Sequence, residues 1–344
     1  MSPPWSTARP IGVLGTGSAV PGDPVETENL VDHMETRFGF RGGRIARAVA
    51  GRMGITARHL ARPFADREEL PRPGQSNAEL AADAVRRALA DAGSTVGDIA
   101  YLIGHTTTPG QLLPGNIAEV ADRLGYAGPH IELRQACTGF ANALMIASGL
   151  LAASDRPVVI VGSETGSLFF DPHRADADSG QLVNMVQMGD GAGAIVLGRT
   201  DQARAQICAA WFGAIGLGRA PGISLAPGAR EFTHDFGTIR ATGHALFDAG
   251  RDAARALGHD LAAANWIIPH QVSGRIGALV ADRFGLPLAR MMVQADRRGN
   301  TGSAAIWLAL DELRRGVAKS GQSALILGAE ASKHMYGGFA YHHG

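Results

Sequence analysis

The chain has 344 residues, enough to bury two domain-sized cores without disulfide staples. Its 32 basic and 32 acidic side chains cancel, which argues against a protein that holds duplex nucleic acid through a large positive excess. Two cysteines, Cys137 and Cys208, make no disulfide framework and no metal-ligand spacing, the N-terminus lacks a signal-peptide pattern, and no apolar run reaches membrane-spanning length; the expectation is a cytoplasmic protein without metal, cofactor, nucleic-acid or membrane partner.

In chain order, residues 11–17 predict a strand running into a glycine turn. Gly15-Thr16-Gly17-Ser18 is only loosely similar to a dinucleotide fingerprint, because Pro21 and Gly22 stand where the helix should begin, so a plain strand-end turn is expected. Residues 41–58 and 64–74 mix charge with proline and glycine and are expected to be irregular, substrate-facing loops. Ser76-Asn77-Ala78-Glu79 has capping-box spacing and leads a helix over 80–89 that ends at Gly93. A strand over 99–105, a helix over 118–124, a strand over 129–133 and a helix over 140–148 follow. Strands over 157–162 and 193–198 complete a first half. A second half opens near Ala205 with the same order: a helix over 243–257, a strand over 266–269, helices over 274–284 and 304–315, and a strand over 323–328. Each half closes on a strand, a glycine turn and a strand. The alternation predicts an α/β fold in two similar halves, 1–204 and 205–344.

Cys137 stands where the strand over 129–133 hands over to the helix over 140–148, so its thiol meets the free N–H groups and positive end of that helix, which favour thiolate. Taken alone, Cys137 reads as a small buried hydrophobe, and Cys208, which lacks such a junction, is expected in the core. A cysteine nucleophile needs a partner for its charge and donors for the oxygen that turns negative. His270, just past the apolar strand Trp266-Ile267-Ile268-Pro269, and Asn300, in a polar glycine turn before the helix over 304–315, supply such groups at the strand and helix ends where open α/β sheets place their sites.

Ala136-Cys137-Thr138-Gly139-Phe140, Pro269-His270-Gln271 and Arg298-Gly299-Asn300-Thr301 together resemble, in type, order and spacing, the Cys-His-Asn motifs of the β-ketoacyl-acyl-carrier-protein synthase III family. Gly189-Asp190-Gly191-Ala192-Gly193 resembles the family's glycine turn, and the likeness covers roughly residues 11–341. It implies a thiolase-like fold with a five-layered αβαβα core, and an acyltransferase in which Cys137 takes an acyl group from a thioester. His270 and Asn300 would then promote decarboxylation of a malonyl group on acyl carrier protein, and the carbanion would attack the acyl-cysteine in a Claisen condensation. The backbone N–H of Cys137 and one near Met335 are implied as the oxyanion hole. Arg275 and Arg283 fall where the family meets its carrier protein, and Leu113 where an apolar residue crosses a homodimer interface to bound the acyl pocket. Arg134 either approaches a carboxylated acyl chain or pairs with Glu132 or Glu164. Residues 47–55 lack the family's tryptophan for the adenine of coenzyme A, which makes a carrier-protein donor more credible. Two alternatives stay open: plain acyl transfer to an oxygen, nitrogen or sulfur acceptor, and condensation of a dicarboxylic starter.

Overall fold

The computed structural model describes residues 4–62, 64, 71–226, 228, 229 and 231–344. The strands in order are β1 (Trp5–Thr7), β2 (Ile11–Ala19), β3 (Val25–Glu26), β4 (Ala57–Arg58), β5 (Tyr101–His105), β6 (His130–Leu133) and β7 (Val158–Glu164). Then come β8 (Gly191–Gly198), β9 (Ala205–Ala214), β10 (Ile223–Ser224), β11 (Thr233–His234), β12 (Trp266–Pro269), β13 (Ser323–Glu330) and β14 (Met335–His342). The helices are α1 (Thr27–Phe38), α2 (Gly43–Met53), α3 (Asn77–Asp91), α4 (Asn116–Leu124) and α5 (Gly139–Leu151). They continue with α6 (Ser179–Gln187), α7 (Phe236–Ala256), α8 (Ile276–Phe284), the single turn α9 (Ala295–Arg298) and α10 (Ala305–Glu312).

Ten strands form one sheet in the order β12-β13-β14-β9-β2-β8-β7-β5-β6, with β1 beside β9. From β2 outward the pairings run antiparallel, antiparallel, parallel and parallel; from β9 outward they run antiparallel, antiparallel and parallel. Each run starts with its own first strand, returns to its last and then moves outward, so the strand order repeats where no sequence repeat is visible.

The strands are apolar on both faces, and alternate residues go to different cores. Ile103, Ile160, Ile195 and Ile326 face a central layer made by α5 and α10, where Phe140, Trp307 and Phe339 pack edge to face and stacked. Leu102, Val159 and Val196 face α3 and α4 on one outside, while Ile267, Leu325 and Leu327 face α7 and α8 on the other. With the two wings of the sheet, β2-β8-β7-β5-β6 and β9-β14-β13-β12, counted as separate layers, helix, sheet, helix, sheet, helix is the five-layered arrangement of a thiolase-like fold.

The helix led by Ser76 forms as the spacing predicts, with the Ser76 hydroxyl accepting from Glu79 N–H and the Glu79 carboxylate accepting from Ser76 N–H. Three regions differ. Residues 41–58 are not irregular: they hold α2 and β4, with Ala46 and Ala50 buried and Arg47 paired to Glu28, Asp32 and Glu35 of α1. Of the other expected loop, Phe64 is buried and residues 65–70 lie outside the described ones. Helix α7 begins at Phe236, well before residue 243, because Asp235 caps it by accepting from Thr238 N–H at 3.0 Å.

Candidate active site

Cys137 ends the connection from β6 to α5. Gly139, first residue of α5, lies so close to the His105 ring that a Cβ there would be 2.6 Å from it. His105 accepts from Trp307 Nε1 at 2.9 Å, and burial pushes its pKa down to about 3, so a neutral ring supports the turn from below. From above, the Glu330 carboxylate accepts from the backbone N–H and the hydroxyl of Thr138 at 2.9 and 2.6 Å, and from the Ser332 hydroxyl. This buried glutamate ties the cysteine turn to the hairpin between β13 and β14.

Asn300 is held chiefly by its backbone. Its N–H donates to Gln187 O at 2.7 Å, and its carbonyl accepts from Gly189 N–H at 3.1 Å. Gly299 before it has φ +66°, and a Cβ there would stand 2.7 Å from Met188 O, so only glycine lets the two segments approach this closely. Asn300 Oδ1 accepts from Gly302 N–H at 3.0 Å, which leaves the amide nitrogen as the donor offered to the space around it. Ser303 donates to Glu164 at 2.5 Å, and Glu164 also accepts from Thr107 and Thr108, so one carboxylate joins the Asn300 turn to the loop after β5.

His270 follows β12 and donates its N–H to Leu327 O at 2.8 Å. The residue is 2% exposed, its Nδ1 has no hydrogen-bond partner among the described residues, and burial lowers its pKa to about 4, so it is neutral at physiological pH. Gln271 accepts from Gln294 and Ala295 N–H and donates to Pro269 and Met292 carbonyls, which fastens this segment to the one that leads into Asn300. Gln187 does the same from α6: its side chain donates to Val272 O at 2.9 Å while its carbonyl receives Asn300.

Cys137, Asn300, Arg134, Glu164 and Glu330 line one cavity of about 610 Å³. His270 is not among its walls; it lies just past the end of β12, the strand next to β13. The expected pull toward thiolate is outweighed. Burial raises the Cys137 pKa well above that of an ordinary thiol, and the negative charges of Glu330 and Glu164 add to the effect.

The other expected residues divide between the cavity and the surface. Met335 opens β14, opposite Glu330 of β13 and Ala214 of β9, and its sulfur accepts from Gln135 Nε2 at 3.6 Å, two residues before Cys137; the cavity wall beside it is Glu330, Ala331 and Ser332. Leu113 is 87% exposed and touches no part of this chain's own cavity, whereas Leu112, 74% exposed, is one of its walls. Arg134 lines the cavity and also pairs with Glu132 at 2.8 Å. Arg283 is taken up by a two-pronged pair with Asp248, while exposed Arg275 donates, among the described residues, to Gly51 O at 3.3 Å. Cys208 is partly buried against the core beside α7 and α8. Among the described residues no cluster of His, Cys, Asp and Glu could hold a metal ion, and no helix is long and apolar enough to cross a membrane. Glu330, Glu164, Gln187 and Gln271 were not singled out from the sequence as parts of the site. Their only signal was position, each within a few residues of a motif or at the end of a strand or helix.

A five-layered fold with a cysteine at a helix start and an asparagine turn in the same cavity defines a thiolase-fold condensing enzyme. Residues 131–216 match the model of 3-oxoacyl-[acyl-carrier-protein] synthase III and residues 255–336 that of its C-terminal part. The β-ketoacyl-[acyl-carrier-protein] synthase III of Sphingopyxis alaskensis is 31% identical over 339 residues, 95% of each chain, and that of Neisseria gonorrhoeae is 29% identical over 96% of each. Among solved structures, AbyA1, a tetronic acid condensing enzyme, superposes with a TM-score of 0.83 at 29% identity over 96% of this chain and 99% of its own. The synthase III of Pseudomonas aeruginosa superposes at 0.79 with 26% identity over 97% and 98%. The chain belongs to the β-ketoacyl-acyl-carrier-protein synthase III family of acyltransferases.

Proposed function

We propose that this protein joins an acyl group held on Cys137 to a malonyl-derived unit with loss of carbon dioxide, giving a 3-oxoacyl thioester. The observation that carries the reading is the shared cavity: Cys137 and Asn300 are walls of the same space. In the first step the sulfur attacks an acyl thioester, and the leaving thiol departs with the proton. The backbone N–H of Cys137 is the donor for the oxyanion, since those of Thr138 and Gly139 are taken by Glu330 and the Ala136 carbonyl. In the second, malonyl thioester loses carbon dioxide, and His270, kept neutral by burial, acts with Asn300 as a pair of donors to the enolate oxygen. Neutral donors stabilise that charge without quenching the carbanion by full protonation. The carbanion attacks the acyl-cysteine carbonyl and expels the Cys137 sulfur. A thiolate disfavoured by Glu330 and Glu164 is the stronger nucleophile in the first step and the poorer leaving group in the second.

Acyl carrier protein is the proposed partner, with Arg275 as its contact, since Arg283 is already neutralised by Asp248. The two halves, 1–204 and 205–344, supply Cys137 and the His270–Asn300 pair respectively, and a cytoplasmic homodimer is the proposed assembly. The likeness to AbyA1 and to the priming β-ketosynthase of the R1128 polyketide pathway, at 27% identity and a TM-score of 0.77, favours specialised metabolism as the setting.

Purified protein given an acyl thioester and malonyl carrier protein should release carbon dioxide and form a 3-oxo product, and Cys137→Ala should abolish product formation. Acyl transfer to another acceptor without carbon dioxide release would overturn the reading.

A further inference from the structure

Asn184 and Gln187 stand one helical turn apart on α6, and both line the cavity. The Gln187 amide is already engaged with the Val272 carbonyl. The Asn184 amide is not: it makes no hydrogen bond with the described residues, and its Nδ2 is shut off from solvent. In the same wall is His234, whose Nδ1 is also buried without a partner among the described residues and whose ring stacks on Phe236 at 5.3 Å between centroids. Burial lowers the His234 pKa, so the ring is neutral and can give or accept one hydrogen bond. Much of the wall around these two is apolar, from Phe169, Ile223, Leu225 and Phe232. A buried polar group with no partner destabilises a protein, and an unengaged amide in an otherwise apolar wall is complementary to a polar atom of whatever fills the space. A plain alkanoyl chain has no such atom.

We infer that Asn184, assisted by His234, recognises an oxygen substituent, a hydroxyl or keto group, on the acyl chain that enters this cavity. The substrate class is then an oxygenated acyl thioester, and Asn184 determines specificity without taking part in bond making. The inference rests on Cys137 as the acyl carrier.

The test measures the rate at which Cys137 gains mass from matched thioesters of equal chain length, with and without a hydroxyl, each on a simple alkanethiol that carries no amide. The wild-type protein should load the hydroxylated member faster, on the order of tenfold. Asn184→Leu should remove that preference by slowing the hydroxylated member alone, and Asn184→Ala serves the same comparison if the leucine variant does not fold. Equal loading of both members by the wild-type protein, or equal slowing of both by the variants, would overturn the inference. So would an effect of Asn184→Leu confined to thioesters whose thiol arm bears amides, because Asn184 would then recognise the arm. Failure of every thioester to add mass to Cys137 refutes instead the assignment of Cys137 beneath it.

Discussion

At Cys137 two electrostatic influences oppose each other. Its own backbone N–H, just ahead of α5, draws the thiol toward thiolate, while burial and the carboxylates of Glu330 and Glu164 push it back, and the second set wins. Only the first is readable from the chain around residue 137. Glu330 lies 192 residues beyond Thr138, and nothing in Glu330-Ala331-Ser332 announces that its side chain turns inward to hold the cysteine turn. The consequence is measurable. Because a raised pKa leaves the group protonated at neutral pH, the rate of Cys137 alkylation by iodoacetamide should rise with pH to a midpoint above that of a free cysteine. Glu330→Gln removes one negative charge while keeping an acceptor for Thr138, so it should move that midpoint down. An unchanged midpoint would mean that the charge of Glu330 does not reach the sulfur.

At the scale of elements, what local rules govern was legible and what distant contacts govern was not. The capping box of α3 depends on four consecutive residues, and both of its reciprocal hydrogen bonds form. Ser76→Ala should therefore cost about 1 kcal/mol of stability, seen as a lower urea midpoint at constant slope. Helix α2 was hidden because Arg44, Arg47 and Arg52 mask its short apolar stripe, and its arginines make sense only once Glu28, Asp32 and Glu35 of α1 are beside Arg47. Helix α6 was hidden too, and it carries Gln187, which links the segments after His270 and before Gly302. Gln187→Met keeps the volume and removes the donor to Val272. Carbon dioxide release and product formation should fall on the order of tenfold, while acylation of Cys137, followed by intact mass, stays near wild type. Equal loss of both steps would make Gln187 a general packing residue and not a positioning one.

For the whole molecule, the repeated order of strands and helices was enough to expect two similar halves, because alternation along the chain largely dictates α/β layering. It was not enough to see that the halves share one sheet through β2 and β9, nor which apolar residues stay uncovered. Leu112 and Leu113 are largely exposed, and α4, which follows their loop, is fastened to β6 through the Glu132 carboxylate, which accepts from Ile117 N–H at 2.9 Å. Among the described residues strand β6 is itself the edge of the sheet, with Ile131 38% exposed and one row of backbone groups unpaired with another strand. An apolar loop beside an open edge is what a second copy of the chain would cover, and a stable interface requires about 800 Å² from each partner. Leu113→Asp places a charge at the proposed contact without touching the chain's own cavity. It should shift the sedimentation of the protein from dimer to monomer at micromolar concentration and slow condensation, since Leu113 is proposed to bound the partner's acyl pocket. Wild-type protein that sediments as a monomer under the same conditions would remove the dimer and, with it, any role for Leu113 in acyl selection.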